Sequence, residues 1–186
     1  IFKIATLYSP LKLFLPAMRH GTAGARKRYA GWVEDDGRRQ VAFVGMESVR
    51  SDWTDLSKEF QHGLYERVFQ GEPVEDFIRT FVGSLRSGER DSLLVYHKSL
   101  RKPLSEYTET TPPHVKAARL LPTPPGRRIA YVMTQAGPQP CGFQDSPIDY
   151  EHYIEKQVEP VADALLTQLG TSFRAVMGTE RQLELF

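Results

Sequence analysis

A chain of 186 residues, 40% apolar and 11% aromatic, can bury a core as one domain or as two small ones. No apolar run is long enough to cross a bilayer and no signal-peptide pattern opens the chain, so no membrane partner is expected; the near absence of cysteine fits a reducing cytoplasm, the expected location. The formal net charge of +1 leaves the choice of partner to local charge, and a single cysteine, Cys141, excludes an intramolecular disulfide and a multi-thiolate zinc site.

The chain opens on Ile1 rather than Met and runs directly into strand-like sequence, so it is expected to be a piece of a longer protein. Leu11, Leu13 and Leu15 recur with period two and predict a strand that Pro16 ends. Arg28–Val33 and Gln40–Val44 predict paired strands. The polar run Glu34-Asp35-Asp36-Gly37 between them ends in Asp-Gly, a strong hairpin signal. The basic, aromatic entry to this hairpin, Arg26 to Trp32, points to an edge that faces nucleic acid.

Helices are expected next. Thr54 is placed to cap a helix whose Leu56, Phe60, Leu64 and Val68 recur every four residues, with Gly71 as its stop. Pro73 suits the first position of a second helix, striped by Val74, Phe77, Ile78, Phe81, Val82 and Leu85 and closed by Gly88. Such stripes are core, and no functional role is assigned to them. Ser92–Tyr96 predicts a short strand, and Thr111-Pro112-Pro113 leads into a short basic helix, His114–Leu121. After the loop Pro122–Gly126, Ile129–Thr134 predicts a strand, and Gln135 to Asp145 reads as irregular. Ser146-Pro147-Ile148-Asp149 resembles a capping box. The face Tyr150, Tyr153, Ile154, Val158, Val161, Leu165 and Leu169 is helical, but Pro160 should split or kink it. Ser172–Met177 predicts a last short helix ending at Gly178.

Two stretches carry chemistry. Between His97 and Arg128, seven cations (Lys98, Arg101, Lys102, Lys116, Arg119, Arg127 and Arg128) face only Glu106 and Glu109, a local excess of five positive charges. Such a block suits a phosphate backbone, and a solvated surface is the equal alternative. Past Gly178, the apolar Leu183, Leu185 and Phe186 either fold back on the helices or fill a partner's pocket, with Gln182 fixing the register by hydrogen bonds.

Against these stand several absences. The five histidines show no ligand spacing, and there is no glycine-rich phosphate loop, no Gly-x-Ser-x-Gly and no His-Glu-x-x-His. Two-metal phosphoryl chemistry needs carboxylates converging on ions about 3.5–4 Å apart, and a solvated hairpin tip such as Asp35-Asp36 does not supply that. No complete active site, no catalytic residue and no cofactor is expected within these residues.

Together the motifs resemble the C-terminal part of family B DNA polymerases, most closely the bacterial members. Arg26-Lys27-Arg28-Tyr29-Ala30-Gly31 is similar to the palm motif Lys-Lys-x-Tyr, with Arg26 where Lys is usual. Gly45-Met46-Glu47-Ser48-Val49-Arg50-Ser51-Asp52-Trp53 resembles the palm-to-thumb junction. Leu93, Val95, Tyr96, Lys98, Leu100, Leu104, Tyr107, the run Pro113-His114-Val115-Lys116-Ala117-Ala118-Arg119 and Asp149-Tyr150-Glu151-His152-Tyr153 follow the thumb. Gln182-Leu183-Glu184-Leu185-Phe186 looks like the bacterial sliding-clamp-binding peptide.

The resemblance implies an α+β fold: short antiparallel palm strands in residues 1–53, a mostly helical thumb in 54–178 and a clamp-binding tail in 179–186. It implies a piece that holds primer–template duplex DNA for a DNA-directed DNA polymerase, a nucleotidyltransferase of replication and repair. The Mg²⁺-binding aspartates would lie upstream of Ile1, so this piece alone is expected to be inactive. Lys27 and Tyr29 are implied at the primer end. The wider set of candidate DNA contacts is Arg26, Lys27, Tyr29, Arg50, Lys98, Arg101, Lys102, His114, Lys116 and Arg119. The sliding clamp is the second implied partner, through Gln182, Leu183, Leu185 and Phe186. The alternative is a stand-alone, non-catalytic DNA-binding or clamp-binding adaptor, and a Mg²⁺-dependent nuclease using Asp35, Asp36 or Asp52 is a third reading.

Overall fold

The hairpin forms where alternation and the Asp-Gly signal predict it. A computed structural model describes residues 13–14, 28–35, 38–46, 50, 53–108 and 111–178. Strands β1 (Leu13–Phe14), β2 (Tyr29–Asp35) and β3 (Arg38–Val44) make an antiparallel sheet in that order. Asp35 pairs with Arg38, so both strands run further toward the tip than the apolar pattern predicts. The turn Asp36-Gly37 itself lies outside the described residues. Opposed residues of an antiparallel pair share a face. Ala30 opposite Phe43 and Trp32 opposite Val41 therefore form the inner face, and Tyr29, Gly31, Ala42 and Val44 the outer one.

The inner face lies on helix α1 (Asp55–Gln70), with Trp32 6.0 Å from Phe69 and Phe43 5.5 Å from Tyr65, ring to ring. Leu56, Phe60 and Leu64 are buried as their spacing predicts, and Gly71 ends the helix at φ 78°, where the Glu72 amide donates to the Arg67 carbonyl. Helix α2 (Glu75–Arg86) starts two residues later than Pro73 predicts: Val74 is its cap residue and accepts from the Ile78 amide. Phe60, Phe77 and Phe81 stack between the two helices, while Arg67 covers Phe77 and Arg90 covers Phe81, each at 4.0 Å.

A second antiparallel sheet follows in the order β4 (Tyr96–Ser99), β5 (Arg128–Thr134), β6 (Gly137–Pro140). Its first strand is displaced from the predicted Ser92–Tyr96, because Asp91–Leu93 closes a 3₁₀ turn and pairing begins only at Tyr96. Strand β6 was expected to be irregular. Its prolines Pro138 and Pro140 are tolerated because β6 is an edge strand, where a missing N–H breaks no second ladder. Helix α3 (Pro113–Arg119) packs on β5 and β6 through Val115, Ala117 and Ala118, whose small side chains allow close approach.

The late helical face is continuous. Helix α4 (Tyr150–Tyr153) passes through a π turn, Ile154–Val158, into α5 (Glu159–Leu166). Pro160 falls just after the wide turn, which absorbs the register change that a proline demands instead of splitting the helix. Asp149 rather than Ser146 is the cap, accepting from the His152 amide at 3.0 Å. Helix α6 (Phe173–Met177) is capped by Ser172 and closed by Gly178 at φ 70°. The architecture is thus mixed α and β, with short antiparallel sheets and one apolar core shared by both.

The start of α1 is tied to this π turn. Thr54 sits at the cap position, yet its hydroxyl does not cap the helix. Its hydroxyl and its amide both donate to Oε1 of Gln157, at 2.9 and 3.0 Å, and both residues are buried. Gln157→Leu removes one acceptor from two buried donors, so we expect a loss of about 3 kcal/mol, each orphaned donor costing ~1–3 kcal/mol. Urea unfolding at unchanged m reads it. Thr54→Val, which keeps the amide bond, should cost about half as much, and an unshifted midpoint for Gln157→Leu would remove the latch from the account.

Candidate nucleic-acid interface

The end of β4, the start of β5 and the N-terminal turn of α3 enclose a hollow of about 880 Å³. Strand pairing builds it: Ser99 lies opposite Arg128 and His97 opposite Ala130, so residues distant in sequence meet at one end of the sheet. It is lined by Lys98, Arg101 and Arg128, by His97 and His114, and by Tyr107 and Tyr131, and no Asp or Glu lines it among the described residues. Like charges gathered around one hollow repel one another, and a polyanion relieves that repulsion. Described ion pairs lie elsewhere, as between Arg86 and Glu151 at 2.8 Å or Arg174 and Glu159 at 3.0 Å.

The floor is stiff. Tyr96 stacks between Tyr131 and Tyr153, with centroids 5.2 and 5.7 Å away, and the Tyr153 hydroxyl accepts from the Met133 amide at 2.8 Å. Burial pushes the Tyr131 phenol up to about 12 and raises those of Tyr96 and Tyr153 further, so all three stay neutral donors. Tyr107 organises the outer wall. Its hydroxyl accepts from the Arg101 amide at 3.2 Å, its ring lies under the Lys102 ammonium at 4.8 Å, and the His114 ring meets its edge at 6.4 Å. Beyond Arg101 a neighbouring hollow of about 580 Å³ takes in Lys102 and Arg127 beside Pro124 and Pro125.

Of the residues singled out in the sequence, Lys98, Arg101 and His114 come together in the first hollow, and Lys102 borders the second. Lys116 is exposed on α3 and lines neither. Arg119 is turned to backbone: its guanidinium donates to the Tyr107 carbonyl at 2.8 Å and to that of Leu104 at 3.3 Å. Tyr29 is half-buried on the outer face of the hairpin and Arg50 is exposed beyond it. Arg26, Lys27, Gln182, Leu183, Leu185 and Phe186 lie outside the described residues. His97, Tyr107 and Arg128 were not among the candidates, although Arg128 belongs to the basic block; only the β4–β5 register could have selected it.

Burial, and then the Lys98 ammonium, push the His114 imidazole below its usual range. Burial does the same to His152, whose Nε2 lies 3.2 Å from the Tyr96 hydroxyl; Asp149 and Glu155 oppose that shift and Lys156 adds to it. A histidine with a lowered folded-state pKa binds its proton more readily when unfolded. Its stabilising effect is complete above the unfolded value of about 6.5 and is lost as pH falls through the folded one. Thermal melts from pH 8 to 5.5 should therefore show stability falling below about pH 6.5, with a shallower fall in His114→Gln. An identical slope in that variant would exclude His114 as a contributor.

Among the described residues, no three His, Cys, Asp or Glu side chains converge to hold a metal ion, and no helix is long and apolar enough to cross a membrane.

The model of DNA polymerase family B matches residues 24–176. The chain is 41% identical over 177 residues to DNA polymerase II of Escherichia coli (strain K12), covering 89% of this chain and 23% of that protein. It is 35% identical over 175 residues to DNA polymerase 2 of Aeropyrum pernix, covering 85% of this chain and 21% of that one. Its fold is similar to the structure of the family B DNA polymerase from the hyperthermophilic archaeon Pyrobaculum calidifontis, with a TM-score of 0.62 at 32% identity over 80% of this chain and 21% of that one. The chain thus spans less than a quarter of the length of each of these relatives. With hairpin, basic hollow and late helices all inside the matched region, the chain belongs to DNA polymerase family B.

Proposed function

We propose that this chain is the duplex-holding part of a DNA-directed DNA polymerase, with residues 1–53 ending the palm, 54–178 forming the thumb and 179–186 tethering the enzyme to a sliding clamp. The observation that carries it is the hollow that gathers Lys98, Arg101, Arg128, His97 and His114. A polymerase must accept any sequence, so its grip should rest on phosphates and on groove acceptors that all base pairs share. Cations on a rigid sheet edge supply the first. Tyr29 shares its hairpin face with the small residues Gly31 and Ala42, which favours a close backbone approach beside it. Lys27, two residues earlier in the sequence, is the proposed partner of Tyr29 at the primer end.

Polymerases of this family work with divalent metal. The described residues offer no matching donor set, so no chemical step is assigned to them. The test of the grip is duplex affinity against ionic strength. The logarithm of the binding constant should fall linearly with the logarithm of salt concentration, by about 0.9 for each phosphate contact. A flat profile, or no duplex binding at low salt, would overturn the reading.

A further inference from the structure

Arg119 is the last residue of α3, a position that favours a cation and from which the family pattern alone would send it to DNA. Its guanidinium is engaged otherwise. One terminal nitrogen donates to the Tyr107 carbonyl at 2.8 Å and the Leu104 carbonyl at 3.3 Å, and the other reaches the Thr111 hydroxyl at 3.4 Å. These three points lie at the start of the 3₁₀ turn Leu104–Glu106, at its end and just before α3. A fork of this kind ties together two chain segments that no described strand pairing joins.

What the fork fixes is the backbone of Tyr107. Tyr107 in turn touches three of the candidate contacts: its hydroxyl accepts from the Arg101 amide, its ring carries the Lys102 ammonium and packs edge-on with His114. Arg101 borders both hollows. We infer that Arg119 is a positioning residue, which clamps the Arg101–Tyr107 loop onto α3 so that Arg101, Lys102 and His114 face the duplex together, and that it makes no phosphate contact of its own. This rests on the reading of the hollow as the duplex grip.

The two roles separate in a salt titration, because a cation that leaves a phosphate takes its counterion release with it, whereas a displaced loop weakens binding without removing a charge from the interface. The measurement is primer–template affinity of the intact polymerase chain at several salt concentrations. Arg119→Ala should weaken binding about fivefold, the scale of one loop left to be ordered on binding, with the slope unchanged. Arg119→Lys should fail to restore affinity, since an ammonium has one nitrogen where the planar fork uses two, one for the carbonyls and one for the Thr111 hydroxyl. Tyr107→Leu should give a similar loss, and the double variant should be no weaker than either single one, because both act through one contact chain.

A slope lowered by about 0.9 in Arg119→Ala, or full rescue by lysine, would assign Arg119 to a phosphate and overturn the inference. Unchanged affinity would overturn it equally. If Arg119→Ala does not fold, Tyr107→Leu decides alone: weaker binding at unchanged slope supports the clamp, and unchanged affinity or a lowered slope refutes it. Failure of the underlying reading shows separately, as slopes that remain unchanged in Lys98→Ala and Arg128→Ala.

Discussion

Reversing two charges in the hollow, Lys98→Glu with Arg128→Glu, is expected to weaken duplex binding by two to three orders of magnitude at moderate salt. Each reversal removes an attraction of about 1 kcal/mol and adds a repulsion of similar size, the scale for unit charges about 4 Å apart with the screening of bulk water. Two such changes total about 3–4 kcal/mol, and a factor of ten is about 1.4 kcal/mol. The salt slope should fall by about 1.8, because two phosphate contacts are lost. Arg128 is exposed and Lys98 half-buried at a sheet edge, so the fold should bear the change, surface substitutions of this kind staying within about 0.5 kcal/mol. Lys116→Glu on exposed α3 lies outside both hollows and should alter the slope far less. An equal effect at Lys116 would mean that the whole face, rather than the hollow, attracts DNA. Lys98→Gln carries a second signature: without the neighbouring ammonium, the His114 imidazole should titrate at higher pH.

The parts of this architecture that were legible in the sequence are those set by neighbours. The Asp-Gly signal and the alternation of Tyr29 to Val33 gave the hairpin, and the four-residue spacing of Leu56, Phe60 and Leu64 with Gly71 behind them gave α1. What was not legible depends on distant partners. Strand β6 is built on Gly137-Pro138-Gln139-Pro140, a poor strand sequence that pairs only because β5 offers it an edge. The apolar run ending at Tyr96 draws the predicted strand four residues early, while the true β4 is half polar because it borders the hollow.

The same division runs through the candidate site. A count of cations finds the basic block but cannot rank its members. The β4–β5 register selects Lys98 and Arg128, and the hydrogen bonds of Arg119 turn it toward backbone. Thr54 shows it most simply: a residue type and position that predict a cap, with a hydroxyl that instead finds Gln157 more than a hundred residues away.

Deleting Gln182–Phe186 should abolish binding to the sliding clamp while leaving duplex affinity unchanged in its absence. Those residues lie outside the described ones, so the magnitude comes from their chemistry. Burying Leu183, Leu185 and Phe186 in a partner's pocket is worth about 1.5–3 kcal/mol each, so their joint loss exceeds three orders of magnitude in affinity. The Gln182 amide would add about one hydrogen bond, and Gln182→Ala should cost no more than about tenfold. Helix α6 gives the segment a fixed point of departure. Arg79 donates to the Val176 carbonyl at 2.9 Å, Asp163 accepts from the Phe173 amide at 2.7 Å, and Gly178 turns the chain at φ 70°. A tether leaving from there would hang from α2 and α5, which hold α6. The competing role, in which these residues fold back on the helices, makes the opposite forecast: deletion would lower the melting temperature and leave clamp affinity intact.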